Sequence, residues 1–447
     1  MALKGLDIFK LTPKTNCRDC GCPTCMAFSM KAAQGSLPIE KCPHLSVEAQ
    51  KILGEASELP MKQITLGPAG NELKLGGETV LYRHEKTLVS KTLYGVNATP
   101  ENIDAVLDSI KPIDYERIGE RMYVEVINLV YTGDIALYAG AVQKVLSSGR
   151  ILVLEVKDPD AAKAALETAK DAKPVLNAAD ESNYQAMNVL AAQYGVTLGV
   201  SAGNLDSLHD TIVSLEALGN KNLVIDAGRL SVKDTFENAV QIRRSALKDG
   251  DRSFGYPSLV NIAKTAEKLS PGDKYMQTAL AALFTVKYGS IIIMDTVSYP
   301  QALPLFGLRQ NIFTDPQKPM KVEPGIYPVN GADENSVCAV TVDFALTYFI
   351  VSGEMERSGV PVNLLISDAG GYSVLTAWAA GKFSAASITK FIKENGIESK
   401  IKNRNLIIPG KAAVLRGGLE ENLPGWKILV APNEAVGLVR YLKELKI

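Results

Sequence analysis

The 447-residue chain sets 48 Lys and Arg against 49 Asp and Glu, so it carries no net field to draw nucleic acid or anionic lipid. No apolar run approaches the roughly 18 to 20 residues that cross a bilayer, and the opening Met1-Ala2-Leu3-Lys4 leads into no secretory core. These features argue against nucleic-acid and membrane roles and for a cytoplasmic protein of two or three domains whose partners are proteins or small molecules.

The first module, residues 1–57, holds five of the six cysteines. Within Cys17-Arg18-Asp19-Cys20-Gly21-Cys22-Pro23-Thr24-Cys25, Cys17, Cys20 and Cys25 combine with Cys42 in the pattern C-x2-C-x4-C-x16-C. Three thiolates in one loop, and a fourth returning beyond a short helix, suit the corners of a four-iron four-sulfur cube. Structural zinc also accepts four thiolates, but it favours two Cys-x2-Cys pairs, and only Cys17 with Cys20 has that form; disulfides fit less well. Cys22 is the spare thiol, read as a bystander. The helix after Cys25 spaces Met26, Met30 and Ala33 to cover one cluster face and stops at Gly35. Cys338 lies in an apolar run and reads as a core residue in a reducing compartment.

Residues 58–90 are rich in Gly and Pro and read as a linker or small hairpin. From 91 to 315, candidate strands at 92–97, 125–131, 151–156, 174–178, 197–201, 223–226, 256–260 and 291–295 alternate with helical segments, as in a closed (β/α)8 barrel; an open doubly wound sheet is the alternative. The strand ends, such as Asn177-Ala178-Ala179-Asp180 and Ser201-Ala202-Gly203-Asn204, are polar. They could bind a ligand, or could simply cap helices, with Asp180 and Asp206 as N-caps. No phosphate loop, metal cluster or serine elbow stands out, which favours a docking or scaffold barrel over a catalytic one.

Six prolines between 300 and 330 mark a linker, bounded at 316–330. The last domain, 331–447, shows strands at 337–341, 362–367, 405–408 and 427–430 with helices between, the pattern of a small doubly wound parallel sheet. Its ligand loops should be those at the strand ends, among them Asp368-Ala369-Gly370-Gly371-Tyr372-Ser373. Two residues without Cβ let a bulky ligand approach the backbone, and Ser373 would cap the helix behind.

The cysteine pattern, Thr341-Val342-Asp343-Phe344-Ala345-Leu346-Thr347 and Ser367-Asp368-Ala369-Gly370-Gly371-Tyr372-Ser373 together resemble the large subunit of the corrinoid iron-sulfur protein of the reductive acetyl-CoA pathway, over the whole chain. The resemblance implies an α/β chain with an iron-sulfur module, a TIM barrel and a Rossmann-like domain holding a cobalamin-type corrinoid. It places corrinoid contacts at Thr341, Leu346, Thr347, Gly370, Gly371, Tyr372, Ser373 and Val436, and the 4Fe-4S ligands at Cys17, Cys20, Cys25 and Cys42.

The partners it implies are the small subunit, in a heterodimer, a methyltetrahydrofolate:corrinoid methyltransferase, and carbon monoxide dehydrogenase/acetyl-CoA synthase. The chain would carry a methyl group on cobalt from the one enzyme to the other, while the cluster returns Co(II) to Co(I). No histidine follows His209, so the last domain cannot offer cobalt an imidazole from below, which makes Co(I) easier to reach. The competing readings are a corrinoid methyltransferase whose barrel binds the pterin, and an iron-sulfur electron-transfer subunit without corrinoid.

Overall fold

The computed structural model describes residues 5–33, 36–46, 48–49, 53, 59–82, 85–226, 230–266, 272–314 and 320–445; Gly35, Ala227, Gly228, Arg229, Pro316 and Pro319 fall outside them. The chain divides into two compact units, residues 1–115 with 122–313, and residues 116–121 with 314–447.

The first unit opens with helices Gly5–Leu11 and Cys25–Ala33. Ile8, Phe28, Ile39, Leu45 and Leu53 form its small core together with Cys20, Cys22 and Cys42. Cys25, Phe28 and Ser29 are the buried face of the second helix, while Met30 is 48% exposed, so the expected Met26, Met30 and Ala33 face is corrected. Turning Cys25 inward sets the phase, and positions three and four residues on follow it.

The stretch read as a linker or small hairpin at 58–90 contains the hairpin, with antiparallel strands Gln63–Leu66 (β1) and Leu73–Gly76 (β2). Strands Leu93–Ala98 (β3), Asp114–Arg117 (β4), Glu120–Tyr123 (β5), Val126–Val130 (β6), Ile151–Glu155 (β7), Val175–Ala179 (β8), Thr197–Ser201 (β9), Leu223–Asp226 (β10), Ser258–Asn261 (β11) and Ile291–Met294 (β12) follow. Of these, β3 and β6 to β12 close into a parallel barrel, β12 pairing back onto β3.

Period-two alternation sorts the inward residues by height. Leu93, Val126, Ile151, Val175, Val224, Leu259 and Ile291 fill the lower interior, sealed by Ile64, Leu66 and Leu75 of the hairpin. That apolar plug is why this Gly-rich stretch is ordered structure rather than a tether.

Asp134, Asp158 and Asn204 cap the helices that follow their strands. Asp206 therefore lies in the first turn of Leu205–Ala217, where its charge suits the helix dipole, and is not the cap. Asp180 is not a cap either, since Asn183 begins Tyr184–Tyr194 while Asp180 pairs with Lys157 at 2.5 Å and holds Ser182 in a turn.

Described parts of the proline-rich 300–330 stretch are likewise regular structure rather than linker. Pro300 sits in the first turn of helix Tyr299–Ile312, where no N–H is needed, and Pro304 is accommodated inside it. Pro328 lies in Gly325–Val329 (β13), an edge strand, where proline sacrifices little of the ladder.

The second unit is a five-stranded sheet in the order β13, Val362–Ser367 (β15), Val337–Val342 (β14), Asn405–Ile408 (β16), Lys427–Val430 (β17). All pairs are parallel except β13 with β15. Cys338 is fully buried in its core, and burial pushes its thiol up to about 12.

Candidate cofactor sites

The cysteine loop winds tightly because Lys14, Asn16, Arg18 and Gly21 all take left-handed backbone angles, φ 58°, 50°, 70° and 76°. Three of these are not glycine, a conformation that costs about 1 kcal/mol or more per residue and marks a chain held to a shape. Asn16 fastens the loop, its Oδ1 accepting the Cys25 N–H at 2.8 Å.

Cys20, Cys25 and Cys42 are buried and Cys17 is exposed. Burial pushes the Cys42 thiol up; the His44 N–H opposes this, while Cys20, Cys17 and Cys25 push the same way. Cys22, also buried, is raised by burial and by Cys20 alone among the thiols. Beside Cys17, His44 Nε2 lies 2.5 Å from Asp19 Oδ2, and hydrogen bonds from His44 and Cys17 hold the Asp19 carboxyl below its ordinary value.

The second site is a groove of about 290 Å³ at the carboxyl ends of β14, β16 and β17. Thr341, Thr347 and Ser373 line it, with Ile350, Leu375 and Gly410. Thr341 Oγ1 is buried there without a hydrogen-bond partner. Gly370 and Gly371 take φ of 70° and 75°, which a side chain would resist.

Asp343, fully buried, accepts the backbone N–H groups of Ala369 and Gly371 at 3.0 Å each and so fixes the turn. Ser373 holds the N-cap position of Val374–Ala379, but its hydroxyl bonds Thr376 Oγ1 at 2.9 Å rather than a backbone N–H.

Gly370, Gly371, Tyr372, Leu346 and Val436 are not on the groove wall; each lies within a few residues of one that is. Leu346 and Val436 are 58% and 72% exposed. Val436 belongs to a single 3-10 turn, Ala435–Gly437, just ahead of the closing helix Leu438–Glu444. Ile350 and Leu375 were missed, although Ile350 follows Thr347 by three residues on one helix, and that spacing signals a shared face.

The family model for the CO dehydrogenase/acetyl-CoA synthase delta subunit matches residues 63–442, and an Fe-S cluster model matches residues 13–44. The corrinoid/iron-sulfur protein large subunit of Moorella thermoacetica is 37% identical, over 99% of each chain. The acetyl-CoA decarbonylase/synthase complex subunit gamma of Methanothermobacter thermautotrophicus is 34% identical, over 100% of this chain and 99% of that one.

A dihydropteroate synthase from Thermus thermophilus is similar at 16% identity and TM-score 0.40, covering 56% of this chain and 99% of that one, too slight a likeness to carry an argument. The full-length matches decide the matter: the chain belongs to the family of corrinoid/iron-sulfur protein large subunits and acetyl-CoA decarbonylase/synthase gamma subunits.

Proposed function

We propose that this chain is a methyl carrier of a CO dehydrogenase/acetyl-CoA synthase complex. It takes a methyl group that a methyltransferase draws from methyltetrahydrofolate and presents it to acetyl-CoA synthase, paired with a small subunit in a heterodimer. Residues 1–57 form the cluster module, 91–315 the barrel and 331–447 the corrinoid module, with 58–90 and 316–330 joining them. The observation that carries this reading is a four-thiol loop and an apolar-rimmed groove without histidine in one chain.

The residues present fit both groups. Cys17, Cys20, Cys25 and Cys42 are the soft donor set a 4Fe-4S cluster takes, and Cys22 is the spare thiol, buried beside Cys20. In the groove, the orphaned Thr341 Oγ1 awaits a polar partner, while Ile350 and Leu375 offer a flat macrocycle apolar surface; Leu346, Tyr372 and Trp378 are exposed outside the groove wall. When bound, a corrinoid supplies a cobalt nucleophile for methyl transfer and a 4Fe-4S cluster supplies single electrons.

The protein's own part is positional. Asp343 holds the Gly370-Gly371 turn so that backbone, unshielded by Cβ, faces the ligand. Residues 331–447 contain no histidine, so a corrinoid held there would receive no imidazole from this module, which would favour its reduced state.

The test is a Cys20→Ala variant in the intact heterodimer. Methylation of chemically reduced protein should be unchanged, and recovery of oxidised protein by a low-potential donor should fall at least tenfold. Wild-type recovery would overturn the electron-relay role, and a preparation without cobalt would overturn the carrier.

A further inference from the structure

Three of the four cluster thiols are buried and Cys17 is exposed, so one corner of a cluster held by them faces solvent. That corner is where a thiolate is most open to protonation or oxidation, and where an iron is most easily lost.

Two further donors stand there. One ligand atom each from Cys17, Asp19 and His44 lies within 4.8 Å of the other two. Asp19 sits between two cluster ligands in Cys17-Arg18-Asp19-Cys20, and the Gly21 N–H, donating to the Arg18 carbonyl at 2.8 Å, closes the turn that carries it. A hydrogen bond from Cys17 reaches its carboxylate. His44 follows Cys42 by two residues, and its Nε2 lies 2.5 Å from Asp19 Oδ2. Both donors are thus anchored beside cluster ligands, and a cluster in place would hold them at its edge.

Stability does not call for this pair. Asp19 is 52% and His44 48% exposed, and ion pairs in water contribute little. Coordination chemistry does suit it. Iron takes a carboxylate oxygen in its sites of two histidines and one carboxylate, and clusters accept ligands other than cysteine. The spare thiol is less well placed, since Cys22 is buried and the thiol it feels is Cys20.

We propose that Asp19 is a reserve ligand for the iron at the Cys17 corner, steadied by its hydrogen bond with His44. When the Fe–Sγ bond to Cys17 breaks, the thiolate leaves with its electron pair and takes a proton from water. An Asp19 carboxylate oxygen makes the Fe–O bond that replaces it, and no iron changes oxidation state. The corner iron stays instead of departing to leave a three-iron cluster. The proposal rests on Cys17 being a cluster ligand.

The experiment is iron analysis and paramagnetic resonance of the full-length protein, purified anaerobically with its cofactors. Cys17→Ala should keep about four irons per chain, with a reduced-cluster signal altered from wild type. Cys17→Ala with Asp19→Ala should keep about three and show the signal of an oxidised three-iron cluster, and Cys17→Ala with Asp19→Cys should return to about four. Three irons or none in Cys17→Ala, or four in Cys17→Ala with Asp19→Ala, overturns the reserve role. Splitting of the Cys17→Ala signal by a histidine nitrogen gives that role to His44 and overturns it too. A wild-type signal in both Cys17→Ala and its Asp19→Ala double variant removes Cys17 from the ligand set, a separate failure that takes the proposal with it.

Discussion

Asp343 Oδ1 accepts the backbone N–H of Gly371 at 3.0 Å, so the end of one strand holds the turn after its parallel neighbour. The same oxygen takes the Ala369 N–H, and Lys321 Nζ lies 4.0 Å from Oδ2. Asp343→Ala strands two buried donors and should destabilise the 331–447 module by about 3 kcal/mol or more, since hydrogen bonds to a charged group are worth about 1.5–3 kcal/mol each. Asp343→Asn keeps an acceptor and should lose less. Denaturant unfolding, followed together with cobalt content, checks both; a neutral Ala variant would mean the turn holds itself.

A buried ion pair ties the last barrel helix to the first two barrel strands. Arg309 Nη1 meets Glu125 Oε1 at 2.6 Å and the Thr92 carbonyl at 2.9 Å, while Glu125 Oε2 accepts the Tyr94 N–H at 3.0 Å. Burial raises the Glu125 carboxyl, and Arg309 and the Tyr94 N–H only partly oppose it. Removing one partner leaves an uncompensated charge at a cost of about 3–5 kcal/mol. Arg309→Met should therefore lower the melting temperature strongly, and Arg309→Met with Glu125→Met should recover much of it.

Glu216 gives a pH signature. Burial raises its carboxyl, but Lys62, the Tyr256 hydroxyl at 2.7 Å and the Ser253 hydroxyl at 2.8 Å outweigh that and hold it below its ordinary 4.5. A depressed carboxyl contributes stability above its unfolded value and loses it as pH falls through its folded one. Glu216→Gln should cost about 1 kcal/mol at neutral pH, in line with a charged hydrogen bond to a side chain that is 21% exposed, and nothing below both values. Thermal unfolding of both proteins across pH 3 to 7, a range of about four units around that carboxyl, checks the sign.

The thiols separate by role. Cys42→Ala removes the last member of the C-x2-C-x4-C-x16-C set and should abolish the 4Fe-4S absorption, whereas Cys22→Ala should retain about four irons per chain. Iron analysis of anaerobically purified variants decides it, and loss of iron from Cys22→Ala would reassign the ligands.

Much of this was legible because it is periodic or spaced. The cysteine intervals and the strand-helix alternation read directly, and β9 and β10 span the residues their patterns suggested. Proline density misled at Pro300 and Pro328, which a helix first turn and an edge strand tolerate by tertiary position that composition does not carry, whereas a small hairpin was one of the two readings of 58–90. A ring of polar side chains at the barrel mouth was half visible. Asn177 and Asp226 stood out as strand ends, but Asn97, Asn128 and Asn261 become its members only once closure brings eight strands to one rim.

The most direct measurement is the paramagnetic resonance spectrum of the as-isolated Co(II) protein, alongside its iron and cobalt content. One cobalt and about four irons per chain, with a cobalt signal free of splitting from a polypeptide nitrogen, is the outcome that four thiols and a module without histidine require. A cobalt signal split by a protein nitrogen, or protein with iron and no cobalt, would contradict it.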